Sequence, residues 1–454
     1  MPLYDTIIRN GTLVISSGVR PTDIGIEGGR VVAIESDLAG SSGEEIDATG
    51  LHIFPGVIDA HVHFNEPGRA EWEGFETGTR ALAAGGTTFY FDMPLNSHPP
   101  TTTASAFDLK CAAAQAGSLV DFALWGGLVP GNIGHLEELV GRRVVGFKAF
   151  MSNSGIDDFE AVDDLTLYKG MKEAARLGSL VAVHAESEAI TSALSKQAIN
   201  EGRTGVRDYL LSRPVVAEVE AIGRAIVFSE ETRCRLHIVH VSTGRGVAMV
   251  AEAKARGVDV SCETCPHYLV LTEEDVERLG AIAKCATPIR TLDEQNALWS
   301  QLADGTLPMV ASDHSPSPAD MKTGADFFKV WGGISGCQSL LSLLLTDGYS
   351  ERKLPLSTIA RVTSEYVAER FDFAPQKGRI EIGADADMAL LDLGSAYQLE
   401  AEDLFYRHKH SPYLRRSMKA KIVRTIVRGT TVFLEGKLAS TPVGKLVTPG
   451  REDT

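Results

Sequence analysis

The 454-residue sequence contains few cysteines, and they are scattered along the chain. So few thiols in so long a chain predict a protein that folds in a reducing compartment without disulfide bonds. The first residues, Met1-Pro-Leu-Tyr-Asp-Thr6, lack the basic patch and the apolar stretch of a signal peptide. We therefore expect a cytoplasmic protein. The six cysteines are Cys111, Cys234, Cys262, Cys265, Cys285 and Cys337.

The sequence also lacks long apolar runs and basic runs. No stretch approaches the roughly 18 apolar residues that cross a bilayer, so we expect no membrane-spanning segment. The formal net charge is −16 and no stripe of lysine and arginine occurs, which argues against a nucleic-acid partner. Hydrophobic residues make up 44% and charged residues 23% of the chain, the mixture of a globular enzyme. The length allows one large barrel with an appended domain.

Both ends of the chain contain short apolar runs separated by glycine-containing turns, as at Asn10-Gly11, which is the pattern of short β-strands. Asn-Gly and Gly-Gly between apolar runs are hairpin signals. We predict one composite β-sandwich domain built from residues 1–52 and 385–454, with a polar tail after Pro442 that frays. The apolar runs on which this prediction depends are residues 5–15, 23–34, 387–393 and 423–438.

The middle of the chain alternates β-branched runs with helical segments rich in Ala, Glu and Leu. Eight such runs predict that residues 53–384 form a (β/α)8 barrel, the TIM barrel of the α/β class. An open doubly wound sheet is the alternative, but no Gly-x-Gly-x-x-Gly follows the first run. In a barrel, active-site residues lie at the C-terminal ends of the strands. The predicted strands are residues 54–61, 87–93, 121–129, 144–150, 180–185, 236–241, 258–264 and 308–312.

The first predicted barrel strand ends in a His-x-His motif, Asp59-Ala-His61-Val-His63. Side chains alternate along a strand, so His61 and His63 point to the same side and could together bind a metal ion. Asp59 lies near enough to orient one imidazole. Taken alone, the motif is equally consistent with a coincidental pair of polar residues at a strand end.

Further residues of metal-binding types occur at the ends of later strands. His184 ends the fifth strand, His240 the sixth and Asp313 the eighth. A lone histidine there is usually a hydrogen-bonded core residue, whereas a succession of them favours a metal site. Asp313 could be both a ligand and a proton acceptor, since an aspartate in an apolar setting needs a partner. His237 lies on the opposite strand face and is interpreted as structural, and His314 as a less suitable ligand than Asp313.

Lys148 lies inside the apolar fourth strand, Val145-Gly-Phe-Lys-Ala-Phe150. Burying an ammonium is costly, and burial favours the neutral amine. A neutral lysine can capture carbon dioxide as a carbamate, whose two oxygens could bridge two metal ions. The alternative is a lysine that snorkels to solvent or pairs with a buried carboxylate. Imidazole, carbamate and carboxylate ligands suit zinc, with manganese, cobalt or iron as alternatives.

One Cys-x-x-Cys pair, Cys262 and Cys265, lies on the seventh predicted strand. Structural zinc sites built from such pairs use a second pair, which the sequence does not contain. We therefore interpret these cysteines as packing residues rather than as a metal or redox site.

The order His-x-His, Lys, His, His, Asp on strands one, four, five, six and eight resembles the amidohydrolase superfamily, specifically its cyclic amidohydrolases with two metals. The resemblance covers nearly the whole chain. It implies that the lysine is carboxylated on N6 and bridges the metals, that the aspartate is also the catalytic base, and that the enzyme is a homotetramer. The residues that match the family's six ligands are His61, His63, Lys148, His184, His240 and Asp313.

Three positions separate the chain from two branches of this family. Dihydroorotases carry an arginine at the position of Asn65 and a histidine at that of Ser317, and both bind the substrate carboxylate. Their loss here implies a neutral substrate, because a buried carboxylate needs such partners. Hydantoinases and dihydropyrimidinases carry an oxyanion-donating tyrosine at the position of Asn153.

Segments 92–97, 262–269 and 331–336 are similar to those of the allantoinase branch. This resemblance implies that the enzyme opens the hydantoin ring of allantoin, a small neutral cyclic ureide, to give allantoate in purine catabolism. A hydantoinase- or dihydropyrimidinase-type hydrolase is the alternative. A non-catalytic family scaffold is a third interpretation, with which the complete ligand set conflicts. The candidate contacts to the ureide are Asn65, Asn96, Asn153 and Ser317.

Overall fold

A computed structural model describes residues 3–450 of the chain. Within these residues, no helix combines the length and the apolar composition that crossing a bilayer requires. The strands are β1 (Leu3–Ile15), β2 (Gly18–Glu27), β3 (Arg30–Glu35), β4 (Ser41–Asp47), β5 (His52–Pro55), β6 (Val57–Val62), β7 (Thr87–Asp92), β8 (Asp121–Leu124), β9 (Gly126–Gly127), β10 (Phe147–Phe150), β11 (Leu180–His184), β12 (Arg235–Ile238), β13 (Val260–Cys262), β14 (Met388–Asp392), β15 (Tyr397–Gln398), β16 (Ser417–Met418), β17 (Lys421–Val427), β18 (Thr430–Leu434) and β19 (Lys437–Leu438).

Most helices follow barrel strands, and two π-helical segments, Leu344–Glu351 and Arg361–Glu365, continue α-helices near the end of the barrel. Side-chain caps start several helices: Asp163, for example, accepts the N–H of Thr166 at the N-terminus of α4. The α-helices are α1 (Phe75–Ala84), α2 (Ala104–Gly117), α3 (Leu136–Gly141), α4 (Asp164–Arg176), α5 (Glu188–Asn200), α6 (Val206–Leu211), α7 (Val215–Thr232), α8 (Gly244–Ala255), α9 (Pro266–Val270), α10 (Glu273–Leu279), α11 (Leu292–Ala303), α12 (Leu340–Leu343), α13 (Leu356–Ala360) and α14 (Tyr366–Arg370).

Strands from both ends of the chain form one mixed sheet. Its order is β19-β18-β17-β14-β5-β1-β2-β3, and β4 pairs with β1. Strand β5 is the junction, because it pairs with β1 on one side and antiparallel with β14 on the other. The sheet folds over on itself: the N–H of Val31 in β3 donates to the carbonyl of Ala384, just before β14, at 3.0 Å. The composite β-sandwich domain predicted from both chain termini is thereby confirmed. Its boundaries with the barrel domain, at residues 52/53 and 384/385, stay predictions.

Strands β6 to β13 form the parallel barrel. They are hydrogen-bonded in two groups, β6-β7-β8 and β9-β10-β11-β12-β13, and the third barrel strand is interrupted at Trp125 between β8 and β9. The strands are almost wholly buried, because helices cover the outer face and side chains fill the interior. This explains their continuous apolar composition. The predicted (β/α)8 fold is confirmed.

The eighth predicted barrel strand, residues 308–312, is not a continuous strand. It closes the barrel through isolated parallel bridges, Thr264 with Val310 and Val62 with His314. The N–H of Val310 donates to the carbonyl of Val362 at 3.1 Å, so this donor is not available to a neighbouring strand. The prediction of a regular strand was therefore wrong, although its residues close the barrel at the expected place.

Gly56 separates the terminal sheet from the barrel. A Cβ atom at this position would lie 2.0 Å from Oγ1 of Thr88 in β7. The chain that leads into β6 can therefore lie this close to β7 only with a glycine here. The first barrel strand begins at Val57, after this glycine. The predicted start at Phe54 was wrong, because Phe54 pairs with Ala389 in the terminal sheet.

The C-terminal tail packs onto the barrel. The N–H of Phe122 in β8 donates to the carbonyl of Lys445 at 3.0 Å, and the N–H of Val447 donates to the carbonyl of Phe122 at 2.8 Å. The N–H of Lys445 also donates to the buried carboxylate of Asp121 at 2.9 Å. The prediction of a frayed tail was wrong for residues 443–450, and residues 451–454 lie outside the described part of the chain.

Candidate active site

Five of the six predicted metal ligands line one cavity at the C-terminal ends of the barrel strands. The cavity has a volume of about 320 Å³. This volume is at the small end for ligand pockets and suits a compact ring rather than a large cofactor. The five residues are His61, His63, His184, His240 and Asp313.

His61, His63 and Asp313 form one group where the first strand meets the eighth segment. The Nε2 atoms of His61 and His63 lie 3.3 and 3.4 Å from Oδ1 of Asp313. Asp313 has a φ angle of 45°, which non-glycine residues rarely adopt and which is common at functional sites. One donor atom from each residue lies within 4.8 Å of the others, and all three residues are buried. Two imidazoles and a carboxylate in this arrangement fit a divalent metal ion.

His184 and His240 form a second group beside the first. Nδ1 of His184 lies 3.0 Å from Nε2 of His240, and the ring of His184 stacks on Phe150. His240 lies beyond the end of β12, with a φ angle of 38°. Its ring centroid is 5.5 Å from that of His61, so the two groups adjoin. Two imidazole nitrogens directed at each other fit a second cation between them.

Burial lowers the pKa of three histidines here, His63, His184 and His240, and so favours their neutral form. It lowers the pKa of His63 to about 4. Burial and the neighbouring His184 hold the pKa of His240 well below its usual value. Burial opposes ionisation of Asp313, but His61, His63 and His240 outweigh it and hold the pKa of that carboxyl below its usual range. Neutral imidazoles and an ionised carboxylate are the forms that coordinate a metal.

Lys148, the sixth predicted ligand, lies on β10 beside the same cluster. Its side chain is fully buried, which excludes the snorkelling alternative. Its Nζ has no hydrogen-bond partner within residues 3–450. Burial lowers its pKa to about 8, although the carboxylates of Asp313 and Glu263 oppose this shift. An unpartnered amine of lowered pKa fits the carbamate that would bridge two metals.

Glu263 is a site residue that the sequence interpretation missed. Its carboxylate contacts Nδ1 of His61 at 2.5 Å and Nε2 of His237 at 3.2 Å. Nδ1 of His237 in turn lies 2.7 Å from Oγ of Ser261. The carboxylate therefore fixes the ring of His61 with its Nε2 directed at Asp313, as outer carboxylates commonly do for metal-binding histidines. His237 supports Glu263, in keeping with the structural role predicted for it.

Asp59 does not have the orienting role predicted from the sequence. Its Oδ1 accepts the backbone N–H of Ser312 at 3.0 Å, which ties the first strand to the eighth segment. Burial raises its pKa to about 6, although the N–H groups of Ser312 and His61 oppose the shift. The prediction was wrong because the carboxylate that reaches His61 comes from Glu263.

Comparison with known proteins agrees with this geometry. Residues 52–432 match the amidohydrolase family. The chain belongs to this family. The allantoinase of Rubrobacter xylanophilus is 59% identical over 452 residues, covering 100% of this chain and 99% of that protein. The allantoinase of Deinococcus radiodurans is 50% identical over 445 residues, covering 98% and 99%.

The barrel and terminal sheet also superpose on solved structures of this amidohydrolase family. The L-hydantoinase (dihydropyrimidinase) of Arthrobacter aurescens is 37% identical, with a TM-score of 0.96, and the match covers 98% of this chain and 100% of that chain. The fold and the family expected from the order of histidines, lysine and aspartate are thus confirmed.

The four predicted substrate contacts of this amidohydrolase occupy two kinds of position. Asn96 and Asn153 line the cavity. Asn65 and Ser317 are fully buried and are not among the described residues that line it. Both polar side-chain atoms of Asn65 lack a partner within residues 3–450, and Oγ of Ser317 lies 3.4 Å from the carbonyl of Pro318. Only Asn96 and Asn153 are therefore placed to meet a molecule in the cavity.

Two cations, which the sequence interpretation did not single out, also line the cavity: the partly buried Arg213 and the buried Lys284. Arg213 forms an ion pair with the buried carboxylate of Glu186. Nζ of Lys284 donates to the carbonyls of Phe327 at 2.6 Å and Val330 at 2.5 Å. The charge of Arg213 is thus paired with Glu186, and the Nζ of Lys284 is engaged by backbone carbonyls, whereas Nε of Arg213 has no hydrogen-bond partner within residues 3–450.

Replacing Glu263 by glutamine should weaken metal binding by about 10- to 100-fold. The amide has no negative charge and one acceptor atom fewer, so it cannot hold both His61 and His237. Competition with a chelator measures the change. Ser261→Ala is the control, because it removes only the more distant hydrogen bond to His237, and it should have a smaller effect. Unchanged affinity in Glu263→Gln would show that His61 is fixed by other contacts.

Proposed function

We propose that this protein hydrolyses allantoin to allantoate by opening the hydantoin ring. The observation that carries the proposal is the full-length identity of 59% to an allantoinase. The cavity supports it, because the residues expected of the family's binuclear centre lie together there. The wider reaction, hydrolysis of a cyclic amide C–N bond, agrees with membership of the amidohydrolase family.

We further propose that the chain holds two divalent metal ions, with zinc as the metal that its ligands favour and manganese, cobalt or iron as alternatives. N6-carboxylated Lys148 would be the bridge between the two histidine groups. Support for this assignment comes from the unpartnered buried Nζ of Lys148. The proposed ligands are His61, His63, carboxylated Lys148, His184, His240 and Asp313.

Asp313 is the proposed general base. Bound divalent metals would supply Lewis-acid activation of water and of the ring carbonyl. The imidazoles around Asp313 keep its carboxylate ionised, so it can take a proton from the attacking water. The same carboxyl group can then deliver that proton to the ring nitrogen that leaves. Its contacts with His61 and His63 hold it at this position.

The charge pattern of the cavity supports a neutral substrate. Glu186 neutralises Arg213, and backbone carbonyls satisfy the ammonium of Lys284. An anionic ring such as dihydroorotate would therefore bury its carboxylate without a free cation from this pair. The amides of Asn96 and Asn153 can both donate and accept hydrogen bonds, which matches the alternating N–H and carbonyl groups of a ureide.

A substrate panel on zinc- or manganese-loaded protein tests the proposed function. We expect kcat/KM for ring opening to favour allantoin over hydantoin, dihydrouracil and dihydroorotate by about tenfold or more. Preference for hydantoin or dihydrouracil would instead support the hydantoinase-type alternative, which the similarity to the L-hydantoinase of Arthrobacter aurescens favours. If the protein neither binds metal nor opens any of these rings, the result would support the non-catalytic scaffold.

A homotetramer in the cytoplasm is also proposed. The six cysteines, all within the described residues, are free thiols, which supports a reducing compartment. The packed helices α4 and α7 expose Leu165, Val216 and Val227, each more than half exposed, which supports an interface between copies. Light scattering of the purified protein would measure the number of chains.

A further inference from the structure

A second group of donor atoms adjoins the candidate metal centre. The thiol of Cys265, a ring nitrogen of His267 and a carboxylate oxygen of Asp313 all lie within 4.8 Å of one another. Cys265 and His267 are fully buried, and Asp313 is 9% exposed, where it meets the cavity. This group shares only Asp313 with the ligands proposed above. The Cys-Pro-His sequence brings the thiol and the imidazole together at the start of α9.

His267 has no hydrogen-bonding role in the protein interior. Neither Nδ1 nor Nε2 has a partner within residues 3–450, and the ring instead packs edge-on against Tyr268 at 4.2 Å. A buried imidazole normally has a partner, because leaving its polar atoms unsatisfied costs free energy. The unpartnered ring beside a thiol and a carboxylate is therefore a ready ligand.

We propose that Cys265, His267 and Asp313 form an auxiliary site for a thiophilic divalent cation of the zinc and cadmium type. Sulfur, nitrogen and oxygen donors together suit such ions. On binding, the thiol would release its proton to solvent, so that a thiolate charge is added beside the carboxylate that this site shares with the catalytic pair.

Occupation of the auxiliary site would inhibit hydrolysis. Asp313 has two carboxylate oxygens, so it can hold a metal of the catalytic pair with one and the auxiliary cation with the other. A carboxylate that holds a cation on each oxygen keeps unshared electron pairs, but the two positive charges make it a much weaker base towards the proton of water. The inhibition therefore rests on the proposed function, whereas binding of the cation does not.

Cadmium titration of the zinc-loaded protein tests the site. A thiolate bound to cadmium gives an ultraviolet charge-transfer absorption that imidazole and carboxylate ligands do not give. We expect a saturable absorption from one additional cadmium ion per chain, counted by elemental analysis. Cys265→Ser should abolish this absorption. His267→Gln keeps the thiol and should weaken cadmium binding by about tenfold or more, because it loses one of three ligands.

Two other cysteines provide matched controls. Cys262 belongs to the same Cys-x-x-Cys pair but not to the group, and Cys285 lines the cavity but points its sulfur at the carbonyl of Thr287, 3.2 Å away. Cys262→Ser and Cys285→Ser should both keep the absorption. The proposal is overturned if wild-type protein gives no absorption, if Cys265→Ser keeps it, or if Cys285→Ser loses it.

A second readout separates this proposal from the proposed function. Excess cadmium should inhibit allantoin hydrolysis by wild-type protein, and Cys265→Ser should require about tenfold more cadmium for equal inhibition. Equal inhibition of both proteins would contradict the shared role of Asp313. If the absorption behaves as expected but allantoin is not hydrolysed, the auxiliary site stands and the proposed substrate fails.

Discussion

Replacement of Asp313 by asparagine is expected to lower kcat by about 10²- to 10⁴-fold, the usual contribution of a general base. Asparagine has nearly the same shape, and its carbonyl oxygen can still approach Nε2 of His61 and His63, which lie 3.3 and 3.4 Å from the carboxylate. It cannot accept a proton, however. The variant should therefore keep its fold and most of its metal while turnover falls, as steady-state kinetics and elemental analysis would show.

Asp158→Asn is the matched control for this substitution. Asp158 lies in the loop that follows β10, pairs with Arg69 at 3.1 Å and with His98 at 2.7 Å, and is not among the described residues that line the cavity. Its replacement should change kcat far less. Wild-type turnover in Asp313→Asn would show that another group is the base. A loss of bound metal that parallels the loss of rate would show that Asp313 acts mainly as a metal ligand and not as the base.

The clustering of the proposed metal ligands could be predicted because barrel topology brings strand ends together. His61, His184 and His240 are far apart in the sequence, yet each follows or ends a β-branched run, and parallel strands of a barrel end at one face. The predictions needed the residue types and the strand count only. Exact strand ends were unnecessary, and β12 stops at Ile238, before His240, without moving that side chain from the site.

The partners of these residues could not be predicted in the same way. Glu263 lies 202 positions from His61, and no periodic pattern distinguishes it from any other carboxylate near a strand. Asp59 is closer in sequence to His61, which favours it as the carboxylate that orients this imidazole. Its carboxylate instead accepts hydrogen bonds from backbone N–H groups. Which carboxylate reaches an imidazole depends on side-chain directions across the barrel, which a single sequence does not encode locally.

Two of the four predicted substrate contacts lie outside the described lining of the cavity for a related reason. Family resemblance places Asn65 near a substrate, because dihydroorotases have a carboxylate-binding arginine there. Arginine is longer than asparagine, so a shorter residue at the same backbone position need not reach the cavity. Asn65 is indeed fully buried and absent from the described lining, whereas Asn96 on the next loop lines the cavity.

Replacing Lys148 by alanine should remove most of the bound metal and lower kcat/KM by at least about 10³-fold, since several kcal/mol of metal-dependent stabilisation are lost. The substitution deletes the proposed bridge and leaves two groups of imidazoles with one carboxylate. Short carboxylic acids, supplied in solution, should partly restore metal content and rate, because they can occupy the space of the carbamate. Full metal content and full rate in Lys148→Ala would exclude the carbamate.

Lys284→Met is the matched control for the replacement of Lys148. Lys284 is also buried and also lines the cavity, but its ammonium is held by backbone carbonyls, so its replacement should leave metal content unchanged.

The pH dependence of zinc uptake tests the proposed carbamate independently. Only the neutral amine of Lys148 can react with carbon dioxide, and the pKa of this lysine is lowered to about 8. The neutral fraction therefore increases as pH rises through 8. Metal-free wild-type protein should accordingly take up zinc faster as pH increases, provided bicarbonate is present. Uptake that is independent of bicarbonate would mean that the bridge between the metals is not a carbamate.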